Sequence, residues 1–516
     1  MWANPGQMSR VRSGVEANDL AWDLRIARSW LVIAAALCRV RPVIISDRRA
    51  RRKTLLLKVR ERAFAQVDIA SLIFFRIAFG LLMVWEVWRN FSLHLIAANW
   101  IAPRFLFKFY GFSWVHPWPN NWLYIHWGAL GLFAFFVAIG FLYRASAILL
   151  FLSYAYFFLL DESRYVNHTY LICLFSFLLI FVPAHRALSV DAWLNPKIRS
   201  GVAPAWSLWL LRAQIGVVYF YAGVAKISPD WLRGEPMRQR MAHNNNLPIV
   251  GRFFREEWAV YGASYGGLLL DLFIVPLLLW RRTRVAAFFA AVLFHLINAR
   301  WFNLGIFPWL AIAATALFLS PTWPRQILAF FGVKHPFSQA GNWQPPPRRQ
   351  QLITSILVTA YLCVQILVPL RHLLQPGGFE WMYAEHRFSW RMMLLRERST
   401  AYFYVTDPNV GRTMRVVPQG FLNDQQRTML PFLPDYPLQF AHYLAAIMPR
   451  KGPMPLIVEA RIFLSINGRK PELMIDPNVD LAAEPRTLGR PRWLMPIREP
   501  LPPPGQESGE VFGPLR

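Results

Sequence analysis

Residues 206–226 read WSLWLLRAQIGVVYFYAGVAK, an apolar run that ends on a lysine. A run of about 20 mainly apolar residues is long enough for one helix to cross a lipid bilayer. The run therefore predicts a membrane-spanning helix with Lys226 at one end. An amine in this position either reaches out to water or is kept from it. If it is kept from water, burial disfavours the charged form and makes the amine available as a base.

The composition places the whole chain among membrane proteins. Hydrophobic residues make up 55% of the 516 positions and charged residues only 16%, against roughly 25% charged residues in soluble proteins. Apolar runs of bilayer length recur as far as about residue 370, so the fold class is a mostly α polytopic bundle with about nine spans. We place these spans near residues 69–89, 121–141, 145–160, 168–183, 206–226, 260–280, 285–299, 304–320 and 351–370.

The net charge of +27 is concentrated in residues 39–62 and in short connections between apolar runs. Basic short connections face the cytoplasm, which predicts a cytoplasmic N-terminus and an extracytoplasmic C-terminal part. No soluble module combines basic and aromatic residues, so a nucleic-acid partner is excluded and the lipid bilayer is the expected partner. Cys38, Cys173 and Cys363 are far apart and predict neither a disulfide framework nor a zinc site.

Composition divides the chain into four parts. These are a basic, partly disordered cytoplasmic arm (1–64), the transmembrane domain (65–370), a small β-rich extracytoplasmic domain (371–496) and a disordered tail (497–516). The β assignment depends on the β-branched run 455–466 and on Asn467-Gly468, a strong signal for a tight hairpin turn.

Three polar clusters fall at span ends that this topology places on the extracytoplasmic side. Ionisable groups at membrane depth usually face a bundle interior or a cavity, so we expect the clusters to share one pocket. They are Asp161, Glu162, Asn167, His168 and Tyr170, then Lys226, Asp230 and Trp231, and finally His295, Asn298 and Asn303.

Each feature has a structural alternative. His168 could bond a backbone carbonyl, His295 could join two helices, and Lys226 could extend past Trp231 to water. Two histidines with Asp161 could in principle hold zinc, but their wide spacing speaks against it, and no metal is predicted. Asp271 follows two glycines in a leucine run, which is typical of an interhelical hydrogen-bond partner.

Several blocks, in order along residues 65–395, carry a family resemblance. They are LLD at 159–161, NHTYL at 167–171, LSVD at 188–191, VYF at 218–220, AGV at 222–224 with Lys226, Asp230-Trp231 with Gly234, GGLLLDL at 266–272, Phe294-His295 with Asn298, Phe302, Gly305 and Phe307, Ser320-Pro321, WPR at 323–325, and SWRMM at 389–393. With them the chain resembles the vitamin K-dependent gamma-glutamyl carboxylases, also called horizontally transferred transmembrane domain (HTTM) proteins, as a bacterial-type member.

The resemblance implies a reaction, cofactors and site residues. The expected enzyme is a carbon-carbon lyase that couples oxygenation of a reduced quinone to its epoxide with carboxylation of protein glutamate to gamma-carboxyglutamate. Reduced vitamin K, O2 and CO2 would be consumed, and the protein partner would be rich in glutamate. Lys226 corresponds to the catalytic base and Asn167-His168 to its assisting pair. Positions around the quinone are matched by Tyr219, His295, Asn298, Phe307, Met392 and Met393.

An acidic peptide would meet a basic mouth formed by Arg233, Arg238 and Arg240, with Arg252 and Arg255 nearby. Ala225 stands where vertebrate members carry a second lysine, and the C-terminal part is shorter than theirs. The expected location is the bacterial inner membrane, with the active site extracytoplasmic. Two other functions stay open: a quinol epoxidase that does not carboxylate peptide, and a non-catalytic transporter or assembly protein. The catalytic interpretation needs a neutral Lys226, and pairing with a carboxylate would count against it.

Overall fold

The structure is a computed structural model that describes residues 57–243, 251–302, 304–333, 344–374 and 387–501. Several predicted features therefore lie outside the described residues. They are most of the N-terminal arm, Cys38, Asn303, the start of the predicted C-terminal domain and nearly all of the predicted tail. The described residues from Ala63 onward belong to one compact unit. A short antiparallel pairing of β1 (Gln66–Asp68) with β2 (Val202–Pro204) precedes the first long helix and the helix that ends before Lys226.

Helices coincide with all nine predicted spans. They are α1 (Ala70–Ser92), α2 (Trp122–Ile139), α3 (Tyr143–Leu160), α4 (Asn167–Phe181), α6 (Ala205–Ala225), α9 (Glu257–Leu279), α10 (Arg284–Trp301), α11 (Phe307–Thr315) and α13 (Arg348–Leu367). The shorter connecting helices are α5 (Val190–Leu194), α7 (Pro229–Leu232), α8 (Glu235–His243) and α12 (Trp323–Phe330).

Six helices in the described part of the chain are long and apolar enough to cross a membrane. They are α1, α2, α3, α6, α9 and the segment Arg348–Arg371 that contains α13. Two more, Asn167–Phe181 and Phe307–Phe318, are apolar but shorter. The predicted helical membrane domain is confirmed, whereas nine crossings and their orientation stay predictions. A large apolar core buried between these helices includes Phe75, Phe79 and Phe175, which contact one another edge to face or at a tilt.

Helices α6 and α9 meet at Gly223, one turn before Lys226. A Cβ atom at Gly223 would lie 2.8 Å from the backbone nitrogen of Leu272 and 2.8 Å from two of its side-chain carbons. Glycine is thus required here by close approach of the two helices. Because Leu272 follows Asp271, this contact sets the distance between Asp271 and Lys226.

Gly223→Ala is expected to lower the free energy of unfolding by about 1–3 kcal/mol, because the added methyl must push α6 and α9 apart. The matched control is Gly216→Ala on the same helix, where a Cβ atom would lie 3.7 Å from Val275, an ordinary contact. Thermal unfolding in detergent measures both. Equal melting temperatures for the two variants would show that the close approach at Gly223 does not constrain the helices.

The C-terminal part contains a four-stranded antiparallel sheet in the order β4-β3-β5-β6. The strands are β3 (Glu397–Asp407), β4 (Arg412–Val416), β5 (Ile457–Ile466) and β6 (Glu472–Leu473). Phe403 pairs with Val416 on one side and Ala460 on the other, and all three are buried. The predicted turn is confirmed: Asn467 and Gly468 have φ of 52° and 83°, and Arg469 N donates to Ile466 O at 3.0 Å.

The predicted β-rich region also contains two helices that the sequence did not indicate, α14 (Asp424–Met429) and α15 (Asp435–Ile447). Phe440 of α15 packs on Phe403 of the sheet with ring centroids 4.9 Å apart. A single sheet face of this size needs a covering layer to remove its apolar side from water, and α15 provides part of it. The region is therefore a sheet with α15 packed on one face.

Acidic residues at helix ends bind the C-terminal part to the membrane helices. Glu162, after α3, forms a salt bridge with Arg387, and both side chains are 9% exposed. Its neighbour Asp161 accepts a hydrogen bond from Gln426 Nε2 at 3.0 Å. Asp230 of α7 accepts hydrogen bonds from both terminal nitrogens of Arg469, at 2.7 and 2.9 Å. Three of the acids expected in the shared pocket thus hold the two regions together.

Candidate active site

Lys226 lies directly after α6 and is 5% exposed. Its Nζ donates to Asp271 Oδ2 at 2.6 Å and to the carbonyl of Ala222 at 3.1 Å. The Trp231 ring covers the amine, with Nζ 5.1 Å from the ring centroid. Trp231 is itself held by a hydrogen bond from its Nε1 to Ser264 O at 2.8 Å. The amine therefore does not extend past Trp231 to water.

The partner of Lys226 is the carboxylate of Asp271, which stands on α9 and has a side chain 6% exposed. The expectation that Asp271 bonds across helices is confirmed, because it joins α9 to the end of α6. The same contact counts against a free, neutral lysine in this state of the protein. A buried pair of this kind is costly to break, since either member alone would be a charge without a partner in a poorly solvated place.

A second polar group is centred on Tyr219, seven residues before Lys226 and thus on the same face of α6. Its hydroxyl lies 2.7 Å from His295 Nε2 and 2.8 Å from Thr315 Oγ1. His295 therefore joins α10 to α6, which agrees with the alternative that this histidine connects two helices. Its other ring nitrogen, Nδ1, is buried and has no hydrogen-bond partner in the described structure. That leaves one polar atom of His295 available to a ligand.

Phe307 lies between the two histidines of the candidate site. Its ring centroid is 5.8 Å from that of His295 and 6.1 Å from that of His168. Within the described part of the chain the His168 imidazole makes no hydrogen bond. The alternative in which His168 bonds a backbone carbonyl is therefore not observed. The structure thus brings Tyr219, His295, Phe307 and His168 together, while no hydrogen bond among the described residues joins His168 to Lys226.

Asn167 contacts the segment that crosses from the membrane helices to the sheet. Its Oδ1 accepts from the Tyr165 hydroxyl at 3.1 Å, and its Nδ2 donates to the Arg391 carbonyl at 3.4 Å. The next two residues of that segment point to different clusters. Met392 packs on the core that contains Tyr219, and Met393 packs on the smaller cluster around Trp231. One short segment therefore contacts both the main core and the Trp231 cluster.

Of the remaining predicted residues, some form hydrogen bonds or ion pairs within the protein, and the others form none among the described residues. Asn298 is half-buried one turn after His295, and its amide has no hydrogen bond within the described ranges. Arg233 is exposed. Arg238 forms ion pairs with Glu235, at 3.1 Å, and with Glu257, and Arg240 donates to the Leu395 carbonyl at 2.8 Å. Arg252 and Arg255 are exposed on the turn before α9.

Two functional contacts were not predicted. Thr315 is a buried hydroxyl in an apolar helix, and nothing in its neighbours indicates that it faces Tyr219. The pairing of Asp271 with Lys226 was also missed, although a lone acid and a lone lysine on two membrane helices are a recognisable signal. Among the described residues no three His, Cys, Asp or Glu side chains are grouped so that they could hold a metal ion.

Tyr219→Phe is expected to lower the free energy of unfolding by about 1–3 kcal/mol, because it leaves His295 Nε2 and Thr315 without their buried partner. The control is Tyr261→Phe, a half-buried tyrosine on α9 whose hydroxyl makes no hydrogen bond in the described ranges. Its expected effect is within about 0.5 kcal/mol. If thermal unfolding shows the same small change for both, the Tyr219 hydroxyl does not hold this group together.

Fold and site together define an integral membrane protein with a helical membrane domain, a sheet-containing C-terminal region and a buried Lys226–Asp271 pair. Residues 64–323 match the family model of the HTTM domain. Residues 350–500 match that of the vitamin K-dependent gamma-carboxylase, lumenal domain. The chain therefore belongs to the vitamin K-dependent gamma-carboxylase family. No solved structure matches it.

Proposed function

We propose that the protein is a gamma-glutamyl carboxylase that couples oxygenation of reduced vitamin K to carboxylation of glutamate in a protein or peptide. The observation that carries the proposal is the burial of Lys226 inside a region that matches the HTTM domain. The match of residues 350–500 to the lumenal domain of the carboxylases supports the same activity. An amine kept from water is the type of base that this reaction needs.

Lys226 and Asp271 act as one base in this proposal. The active form carries a neutral amine beside the ionised carboxylate, and Nζ of Lys226 takes up one proton during the reaction. The product of that step is the ion pair seen in the structure, with Nζ and Oδ2 2.6 Å apart. Asp271 therefore stabilises the protonated amine, and the pair must lose a proton before the next turnover. Trp231 excludes water from the exchange.

The residues near Phe307 fit a quinone. The Phe307 ring between two histidines offers an apolar contact, and polar atoms without partners among the described residues, such as Nδ1 of His295, offer hydrogen bonds to quinone oxygens. The bound group would be held by Tyr219, His168, His295, Asn298, Phe307, Met392 and Met393. When bound, reduced vitamin K supplies with O2 the strong base that removes a glutamate γ-proton before CO2 adds. His168 orients a ligand hydroxyl through its free imidazole, and Asn167 fixes the segment above it.

The glutamate-bearing partner would enter over the basic segment that follows Lys226. Exposed Arg233, Arg252 and Arg255, which form no ion pair among the described residues, supply positive charge there, whereas Arg238 and Arg240 shape the mouth through bonds within the protein. We also infer nine spans, a cytoplasmic N-terminus and an extracytoplasmic site in a bacterial inner membrane. The domain limits at residues 64, 370 and 496 belong to the same proposal.

The test is an assay of the purified full chain in detergent with reduced vitamin K, labelled bicarbonate and a glutamate-rich peptide. The proposal expects label in the peptide and an equivalent amount of vitamin K epoxide, both dependent on O2. Epoxide without label in the peptide would replace the proposal with a quinol epoxidase of the same fold. Absence of both products, from protein whose folding is verified, would favour a non-catalytic transporter or assembly protein.

A further inference from the structure

A cavity of about 640 Å³ lies at the opposite end of α4 from His168. We name it the arginine pocket, after Arg76, Arg186 and Arg199 in its wall. Its other walls come from the first half of α1, the end of α2 and residues 187–200. The distance along α4 means that this pocket has no part in the candidate active site. It is large enough for a phosphate group with part of an acyl chain attached.

Two of the three arginines, Arg186 and Arg199, keep terminal guanidinium nitrogens open to a ligand in the described structure, while Arg76 adds buried charge. Arg76 is fully buried; its terminal nitrogens donate to the carbonyls of Ala184 and Leu188, but Nε has no partner in the described structure. Arg186 makes no side-chain hydrogen bond or ion pair within the described ranges. Arg199 donates from Nε to Ala192 O at 2.7 Å and from one terminal nitrogen to Trp193 O at 3.4 Å, and it remains exposed. Guanidinium groups bind phosphate through paired N–H donors, so this arrangement suits an anion.

No carboxylate of the described residues neutralises this charge from the pocket wall. The carboxylate of the nearby Asp191 accepts two hydrogen bonds from the backbone. Its Oδ1 accepts from Leu142 N at 2.7 Å, and its Oδ2 accepts from Tyr143 N at 2.9 Å. The surroundings of His185, in the loop beside the pocket, shift the pKa of its imidazole. Burial first, and then the positive charge of Arg144, lower its pKa to about 4; the carboxylate of Asp191 opposes this shift, and Arg186 and Arg76 add smaller lowering effects. His185 is therefore neutral at physiological pH and adds no positive charge of its own.

The other half of the pocket is apolar and open to lipid. Ile77 and Leu81 stand one turn apart on α1, Ile139 ends α2, and Leu81 is 52% exposed. Trp193, on α5, is 71% exposed at the rim. Tryptophan is enriched where a membrane protein meets the headgroup layer. The charged and apolar halves thus lie one above the other, as they would around a phospholipid with its phosphate at the headgroup level.

We propose that the arginine pocket binds a phosphate-bearing anion, and that this anion is the headgroup of an anionic phospholipid whose acyl chain lies along Ile77 and Leu81. Basic pockets between membrane helices are known to hold anionic headgroups. Free phosphate has the same recognition chemistry but would leave the apolar half unfilled. The site does not depend on the proposed carboxylation, because it lies at the other end of the helices.

The experiment is native mass spectrometry of the full chain in detergent, titrated with phosphatidylglycerol or with zwitterionic phosphatidylcholine. The test variant is Arg186→Gln/Arg199→Gln, and Arg186→Gln alone is a second variant that removes no hydrogen bond. The matched control is Arg281→Gln/Arg282→Gln, which removes the same charge from exposed residues between α9 and α10. We expect the test variant to bind phosphatidylglycerol about twenty-five-fold more weakly than the control, from roughly a factor of five for each arginine.

Two further arms separate the sources of phosphate. If the ligand is a lipid, Trp193→Ala weakens the binding and millimolar inorganic phosphate does not displace it. If inorganic phosphate displaces the lipid and Trp193→Ala has no effect, the anion site is supported but its ligand is free phosphate. The proposal is overturned if the arginine variants bind phosphatidylglycerol as tightly as the control, or if phosphatidylcholine binds equally well. Melting temperatures show whether each variant is folded.

Discussion

Lys226→Ala is expected to lower both peptide carboxylation and quinone epoxidation by about 10²–10⁴-fold, the usual effect of losing a general base. The amine is the buried proton acceptor of the proposed reaction, and no other lysine lies beside it in the described structure. Rates of label incorporation and epoxide formation measure the effect under saturating substrates. Lys197→Ala, which removes an exposed lysine at the other end of α6, is the matched control and should retain full activity.

The variant also leaves Asp271 buried without its partner, so loss of activity could follow from loss of folding. Lys226→Ala/Asp271→Asn separates the two effects, because it removes the unpaired charge. The double variant is expected to recover thermal stability but not activity. Asp271→Asn alone should keep some activity, because the amine that takes up the proton is still present. A folded Lys226→Ala variant with normal rates would exclude this lysine as the base.

Arg387→Ala is expected to lower the free energy of unfolding by about 3–5 kcal/mol, the range measured when one member of a buried ion pair is removed. Arg387 pairs with Glu162 and bonds the hydroxyl of Tyr436, so its loss strips partners from both. Because these contacts join the C-terminal part to the end of α3, limited proteolysis should also release that part more readily. Thermal unfolding and the rate of cleavage measure the two effects.

The matched control is Arg427→Ala. Arg427 pairs with Asp424 one turn away, and the Asp424 side chain is 93% exposed. Exposed pairs of this kind contribute about 0–1 kcal/mol. Glu162→Gln/Arg387→Gln should recover part of the stability lost in the single variant, because no unpaired charge remains. Equal stability of Arg387→Ala and Arg427→Ala would mean that the Glu162 contact does not hold the two regions together.

The helical membrane domain was predictable because each span is an uninterrupted apolar run, and such runs have few alternatives in a bilayer. The Asn467-Gly468 turn was predictable because both residues adopt positive φ at low cost. These features depend on residues close in sequence. The family motifs identified Lys226, His168 and His295, but they gave no information on what each side chain bonds to in this chain.

The features that could not be predicted depend on contacts between residues distant in sequence. Three acids near the span ends, Asp161, Glu162 and Asp230, are of the residue type that forms active sites. Each instead bonds a residue more than 200 positions away in sequence, namely Gln426, Arg387 and Arg469 in that order. Local pattern cannot distinguish an acid that meets a substrate from one that meets an arginine of the same chain. α15 was missed in a part of the chain where a strong hairpin signal directed attention to strands.

The contact between Asp230 and Arg469 limits how the two regions of such a protein can recombine. Asp230 follows Lys226 by four residues, while Arg469 belongs to the turn after β5. A chimera that takes its C-terminal sheet from a relative without this arginine would leave a poorly solvated carboxylate about one helical turn from the proposed base. Exchange of the C-terminal region between relatives should therefore succeed only when the acid and its arginine are transferred together.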